Sequence, residues 1–278
     1  MSGLIINDNM VALNASNNLS RTNSALQTAV SKLSSGLNIQ SAADNPAGYV
    51  EGQMLQEQAN GYGQAITNSQ DAVSVLQTAQ GALNQEASVL QTMNTLATSA
   101  ANGGTRDAAQ LAAGQAEFAS LQSELDQIAG STSFGTKQLL DGTYTTQTFQ
   151  VGAFNSATNQ VAISIAAATS GALAVGASTV SIGSVAAAQA AMTAVQTAIS
   201  TVAGIAASVG ATQNQVEAIA SNLTTAQQNI LSAHATLVDV NVAQETAMYT
   251  STNILEQAGV SVLAQSNQLP AMALKLLQ

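Results

Sequence analysis

Apolar residues return on a seven-residue rhythm at both ends of this chain. Near the N-terminus Ile5, Ala12, Leu19, Leu26 and Leu33 fall seven apart, with Asp8, Ala15, Thr22 and Ala29 at the intervening steps. Near the C-terminus Met248, Leu255, Val262, Leu269 and Leu276 do the same, with Ser251, Ala258, Gln265 and Met272 between them. Such a stripe predicts a helix that must bury a narrow seam against another helix, because one seam cannot form a core alone. The simplest arrangement packs the two ends on each other. Leu263, Leu274 and Leu277 widen the C-terminal seam, so its surplus would fall to a neighbouring copy of the chain.

Between the ends the period changes twice. Gly36 is a C-terminal cap for the first helix, and Asn45 followed by Pro46 starts the second. Asn accepts the orphan amides there, and Pro has the right φ with no amide to lose. The second helix carries Ile66, Val73, Leu76, Leu83, Leu90, Met93 and Leu96 and stops at Asn102-Gly103-Gly104. Thr105, with Asp107 just behind it, caps a third helix, whose apolar face includes Leu111, Phe118, Leu121, Leu125 and Ile128. From residue 131 to 183 the alternation at Phe149 and Val151, at Val161, Ile163 and Ile165, and at Val180 and Ile182 predicts a small β region with Gly-rich turns. Helical rhythm then returns through Val195, Val202, Val209, Val216, Leu223 and Leu237, with a break before Val242. Pro270 predicts a kink or stop near Gln268. The fold class is mainly α, a long antiparallel helical bundle with a β-hairpin region in the middle. Residues 1–44 with 238–278 form one expected domain, and 45–237 the other.

Composition narrows the function. Aromatic residues make up 3% of the 278 and Trp is absent, so helices can approach closely. Five Lys plus Arg against fifteen Asp plus Glu leave a formal charge of -10, which supplies no basic footprint for nucleic acid and no polybasic membrane patch. No charged residue lies between Asp141 and Glu217, yet Gln189, Thr193, Gln196, Thr197, Ser200 and Thr201 interrupt the most apolar part of that stretch. A membrane span is therefore not expected.

Candidate chemistry is sparse. The chain has no Cys, and His234 is its only His, so neither a thiol nucleophile nor a paired metal site is available. Glu117, Glu124 and Asp126 share one helix and read as a solvated acidic face, and Gly103-Gly104 is a cap, not a phosphate loop. Neither enzyme activity nor a cofactor is expected. The first twenty residues hold no Lys or Arg and no long apolar core, so a general secretory signal is not expected.

The residues resemble bacterial flagellin. Leu33-Ser34-Ser35-Gly36-Leu37, Ile39, Ser41-Ala42, Asp44 and Ala47-Gly48 match the family's N-terminal signature, continued by Asn68, Asp71, Gln77-Thr78-Ala79 and Gly81-Ala82-Leu83. Phe134, Lys137, Leu139-Leu140 and Phe149-Gln150-Val151-Gly152-Ala153 resemble its short β region. Gly210-Ala211, Gln213-Asn214, Asn222-Leu223, Asp239, Ala243 and Glu245 match at the other end, followed by Ile254-Leu255, Gln257-Ala258-Gly259, Leu263-Ala264-Gln265, Asn267-Gln268 and Pro270. Asn38 stands where the family usually has Arg, and Ala235-Thr236 where it has Ser-Arg.

The resemblance implies a self-polymerising filament subunit. Its seam residues would be Leu19, Leu26, Leu33, Met248, Leu255, Val262, Leu269 and Leu276. It implies export through the flagellar channel to an extracellular filament, with the export apparatus, a chaperone of the C-terminal helix, and the filament cap and hook-junction proteins as partners. It also implies a contact segment for the animal Toll-like flagellin receptor. Gln91 and Leu96 match that segment and Glu117 is a further match, but Thr92, Asn94 and Thr95 replace Arg, Arg and Glu, so recognition is expected to be weak.

Two rival functions are a hook-filament junction protein and a secreted helical adhesin or pore-former. Each terminal seam alone buries too little to offset an ordering cost of roughly 1–2 kcal/mol per residue, so the ends are expected to order on assembly.

Overall fold

The computed structural model describes residues 9–276, with side chains described over 9–268. Five helices dominate: α1 (Met10–Ser35), α2 (Pro46–Ala100), α3 (Ala108–Ser131), α4 (Val185–Val238) and α5 (Val242–Leu276). Two antiparallel hairpins lie between α3 and α4. Strand β1 (Ser133–Phe134) pairs with β2 (Lys137–Gln138), and β3 (Gln147–Gln150) with β4 (Gln160–Ile163). The mainly helical class with a central β-hairpin region is what forms.

Caps explain the helix boundaries. Gly36 closes α1 in the left-handed region at φ 76°, its N–H donating to the Lys32 carbonyl. Asn45 caps α2 by accepting the amide of Gly48 at 3.0 Å. The cap of α3 is Asp107 and not Thr105. Its carboxylate accepts the Gln110 amide while the Gln110 side chain accepts the Asp107 amide, a reciprocal pair that satisfies two orphan donors.

The chain divides into two units. One holds the described residues through Glu57 and from Ile230 onward, and the other spans Gln58–Asn229.

The second unit has a mostly apolar core. Leu76, Leu83, Leu90 and Met93 of α2 are fully buried with Phe118 and Leu125 of α3, Leu139, Leu140, Ile163, Ile165 and Ile182 of the β region, and Val195 and Val202 of α4. The Gln227 side-chain amide donates to the Ala59 carbonyl at 3.0 Å and ties α4 to α2. Helix α4 contains a window of mean hydropathy 1.4, long and apolar enough to cross a membrane by length and composition. Its apolar stripe, Val195, Ala198, Val202, Ile205 and Val209, lies in this core instead.

Val180 and Ile182 are buried but form no strand. Their backbone groups find partners elsewhere. The Gln122 side-chain amide donates to the carbonyls of Val175 at 2.7 Å and Val180 at 3.1 Å, and the Ile182 amide donates to Gln115 Oε1 at 2.5 Å. Side chains of α3 do the work of a paired strand, so the alternation is real while the ladder is absent.

In the first unit α1 and α5 run antiparallel. The Asn9 side-chain amide donates to the Ser266 carbonyl at 2.9 Å, and a Cβ at Gly259 would lie 3.2 Å from Leu19 Cδ1. The connectors at the other end are clasped by backbone bonds: Asn38 N–H to Val238 O at 2.7 Å and Val240 N–H to Gly36 O at 2.9 Å. The Lys32 ammonium donates to Asn38 Oδ1 at 2.9 Å. Helix α5 continues through Pro270 to Leu276 without the expected stop near Gln268. Proline removes one donor from the ladder, and the bonds on either side can carry a helix past it at a cost of about 3 kcal/mol.

Candidate functional site

On α1 the expected stripe is the face turned inward. Ala12, Ala15, Leu19, Thr22, Leu26 and Leu33 are half-buried and Ala29 is fully buried, while their neighbours Ser20, Ala25 and Val30 are exposed. The heptad and the packing face coincide.

On α5 they do not. The covered positions are Glu245, Tyr249, Thr252, Glu256, Gly259, Leu263 and Ser266, with Asn253 beside them, and of these Thr252 and Ser266 are buried. From Tyr249 on, this is the expected heptad moved one residue toward the C-terminus, a rotation of about 100°. Met248, Leu255 and Val262 are instead 55%, 57% and 52% exposed. The structure therefore brings Leu19 against Gly259 and turns a mixed face of α5 inward, leaving Met248, Leu255 and Val262 outside. Leu269 and Leu276 have side chains outside the described residues, and Ile5 and Asp8 lie outside them altogether.

The outward residues line two shallow grooves. One, of about 540 Å³, is formed by Ala247, Thr250, Ser251, Ile254 and Leu255. The other, of about 250 Å³, runs where α1 meets α5, with Leu19, Thr22, Leu255, Ala258 and Val262 among its walls. Met10, Val11, Leu13 and Val30 of α1, Val50 and Met54 at the start of α2, and Leu231 and Val242 are also exposed. Among the described residues, every exposed large apolar side chain except Phe134 and Phe154 belongs to this unit.

Such an arrangement offers an apolar surface for another protein to cover. The described residues contain no group of three or more His, Cys, Asp or Glu placed to hold a metal ion. His234 is half-buried on α4. Gln91 and Glu117 are exposed and Leu96 is half-buried. The hydroxyls of Thr92 and Thr95 donate to carbonyls of their own helix, at Ser88 and Thr92.

Sequence reasoning missed Glu86. Its side chain is fully buried on α2, neither oxygen has a hydrogen-bond partner, and burial pushes its carboxyl up to about 8. The signal was its position midway between Leu83 and Leu90 on the buried stripe.

Comparison with known proteins agrees with an adhesive reading. Residues 6–145 match the bacterial flagellin N-terminal helical region and residues 192–277 the C-terminal helical region. The chain is similar to flagellin of Bacillus subtilis, 38% identical over 304 residues with 98% of this chain and 99% of that one covered. Flagellin of Halalkalibacterium halodurans is 36% identical over 275 residues, covering 99% and 100%. The crystal structure of Bacillus cereus flagellin superposes with a TM-score of 0.50 at 28% identity, covering 60% of this chain and 94% of that one.

Proposed function

The chain belongs to the bacterial flagellin family, and from that premise we propose that it is the structural subunit of an extracellular flagellar filament, built by polymerisation of many copies. The observation that carries this reading is the outward apolar stripe of α5, Met248, Leu255 and Val262 with Ile254 beside it. A solitary protein rarely keeps so long a greasy band in water, and such bands mark surfaces that another protein covers. The inward stripe of α1, with Leu19, Leu26 and Leu33, holds the helix pair together, and the outward stripe of α5 meets neighbouring copies.

In this reading α1 and α5 order fully only when neighbours supply the missing surface. Delivery is through the flagellar export channel. A chaperone shields the α5 stripe before export, and the cap and hook-junction proteins meet the filament's two ends. The segment with Gln91, Leu96 and Glu117 lacks the charges a Toll-like receptor contact would use, so this filament escapes strong recognition.

The test is negative-stain microscopy of salt-precipitated protein. Long uniform filaments are expected. Short rings or monomers would instead favour a hook-filament junction protein, and rings bound to lipid would favour a pore-former.

A further inference from the structure

Two buried polar side chains interrupt the otherwise apolar seam between α2 and α3. Glu86 lies between Leu83 and Leu90, and Gln122 between Phe118 and Leu125, all six buried. Both carboxyl oxygens of Glu86 and the amide oxygen of Gln122 are buried without a hydrogen-bond partner. The amide nitrogen of Gln122 is already committed to the carbonyls of Val175 and Val180, which fixes its orientation and leaves its oxygen in need of a donor.

The register of the two antiparallel helices puts these groups at neighbouring levels. A Cβ on Gly114 would lie 3.9 Å from Leu96 Cδ1, which sets those two residues side by side. Gln122 is eight residues further along α3 and Glu86 ten residues back along α2. Their levels then differ by two residues, about 3 Å of helix rise, well within side-chain reach. We infer that Glu86 is a neutral carboxylic acid whose O–H donates to the amide oxygen of Gln122, forming a proton-dependent latch inside the Gln58–Asn229 unit.

The bond requires the protonated form. A carboxylate has no proton to give and would set its charge against a carbonyl oxygen in a mostly apolar core. Among the described residues no buried cation compensates, since Arg106 in the α2–α3 connector is exposed and donates to the Ser99 hydroxyl. On α3, Glu117, Glu124 and Asp126 are exposed, and α4 carries no titratable side chain before the exposed Glu217. In the β region Lys137 is exposed, Asp141 is held low by its hydrogen bonds to Thr143, and Tyr144 is a buried phenol pushed up by desolvation. On α2 itself Asp71 is exposed.

The sign of the linkage follows. The carboxyl sits at about 8 in the folded unit against 4.5 for a free glutamate. Below 4.5 both states are protonated and the latch contributes fully. Above it the unfolded chain ionises first, so stability falls as pH rises and the loss levels off beyond 8. The contribution of this latch to the Gln58–Asn229 unit is thus greatest in acid and is lost in mild alkali.

The test uses the full-length, unpolymerised protein with 13C-labelled glutamate carboxyls, followed by NMR across pH. One resonance, missing in Glu86→Gln, should titrate between pH 7 and 9, and at pH 5 it should move in Gln122→Met. The melting temperature should fall by roughly 5–10 °C more between pH 5 and pH 9 than in Glu86→Gln, whose amide keeps the bond without a titrating proton. If every glutamate titrates below pH 6 the latch does not exist, a result that needs no variant to fold. If the Glu86 resonance is indifferent to Gln122→Met, the pairing is wrong.

Discussion

The two units of this chain treat the same kind of residue in opposite ways. In the Gln58–Asn229 unit Leu83, Leu90, Met93 and Phe118 are wholly covered by the rest of the polypeptide. In the other, the covered side chains among the described residues are Ala29, Ile39, Val238, Thr252 and Ser266, while Met248, Ile254, Leu255 and Val262 face water. Hydrophobic burial at about 25 cal/mol per Å² is thus collected within the Gln58–Asn229 unit and deferred in the unit of α1 and α5. One unit is a finished domain. The other, in the function proposed above, is half of an interface whose stability would depend on the concentration of its neighbours.

Deleting residues 245–278 gives the largest expected effect. It removes nearly all of α5, so polymerisation should vanish in microscopy while circular dichroism still reports a folded Gln58–Asn229 unit. Filaments from that truncation would end the contrast. Next comes Phe118→Ala, which empties a fully covered site and should lower unfolding stability by about 3–5 kcal/mol in denaturant titration. Leu255→Glu should behave oppositely. It should leave that stability within about 0.5 kcal/mol, because the position is already exposed. The critical concentration for polymerisation should nevertheless rise at least about tenfold, the equivalent of about 1.4 kcal/mol. The smallest effect is Gly81→Ala on α2, where an added Cβ meets nothing within 4 Å. Helix propensity alone should stabilise the subunit by about 0.5–1 kcal/mol in thermal unfolding. If that variant unfolds later yet polymerises poorly, the open space at Gly81 is filled by another copy in the filament.

The same contrast explains what could be read from sequence. The stripe through Leu19, Leu26 and Leu33 identified the packed face of α1 because apolar residues there meet a partner within the chain. The stripe through Met248, Leu255 and Val262 identified a greasy face correctly and its intramolecular neighbour wrongly. Periodicity says which residues avoid water and nothing about who covers them. The α1-facing side of α5 was invisible for the same reason, since Glu245, Thr252, Glu256 and Ser266 read as solvent-facing when no partner is in view. The strand expected at Val180 and Ile182 failed because the Val180 amide turns back to Gly176 while the Val180 carbonyl and the Ile182 amide are taken by Gln122 and Gln115, more than fifty residues away in sequence. Glu86 and Gln122 fell on the correct rhythm but carried the wrong chemistry for a core, so the seam was legible and its polar interruption was not.

The clasp between the connectors sets how this molecule bears a pull. Because Asn38 holds the Val238 carbonyl and Val240 holds the Gly36 carbonyl, the outgoing and returning strands cannot be drawn apart one at a time. Tension applied to either rod reaches both connectors together and loads those bonds side by side, so a rope plied from such subunits would yield by whole pairs instead of unravelling thread by thread.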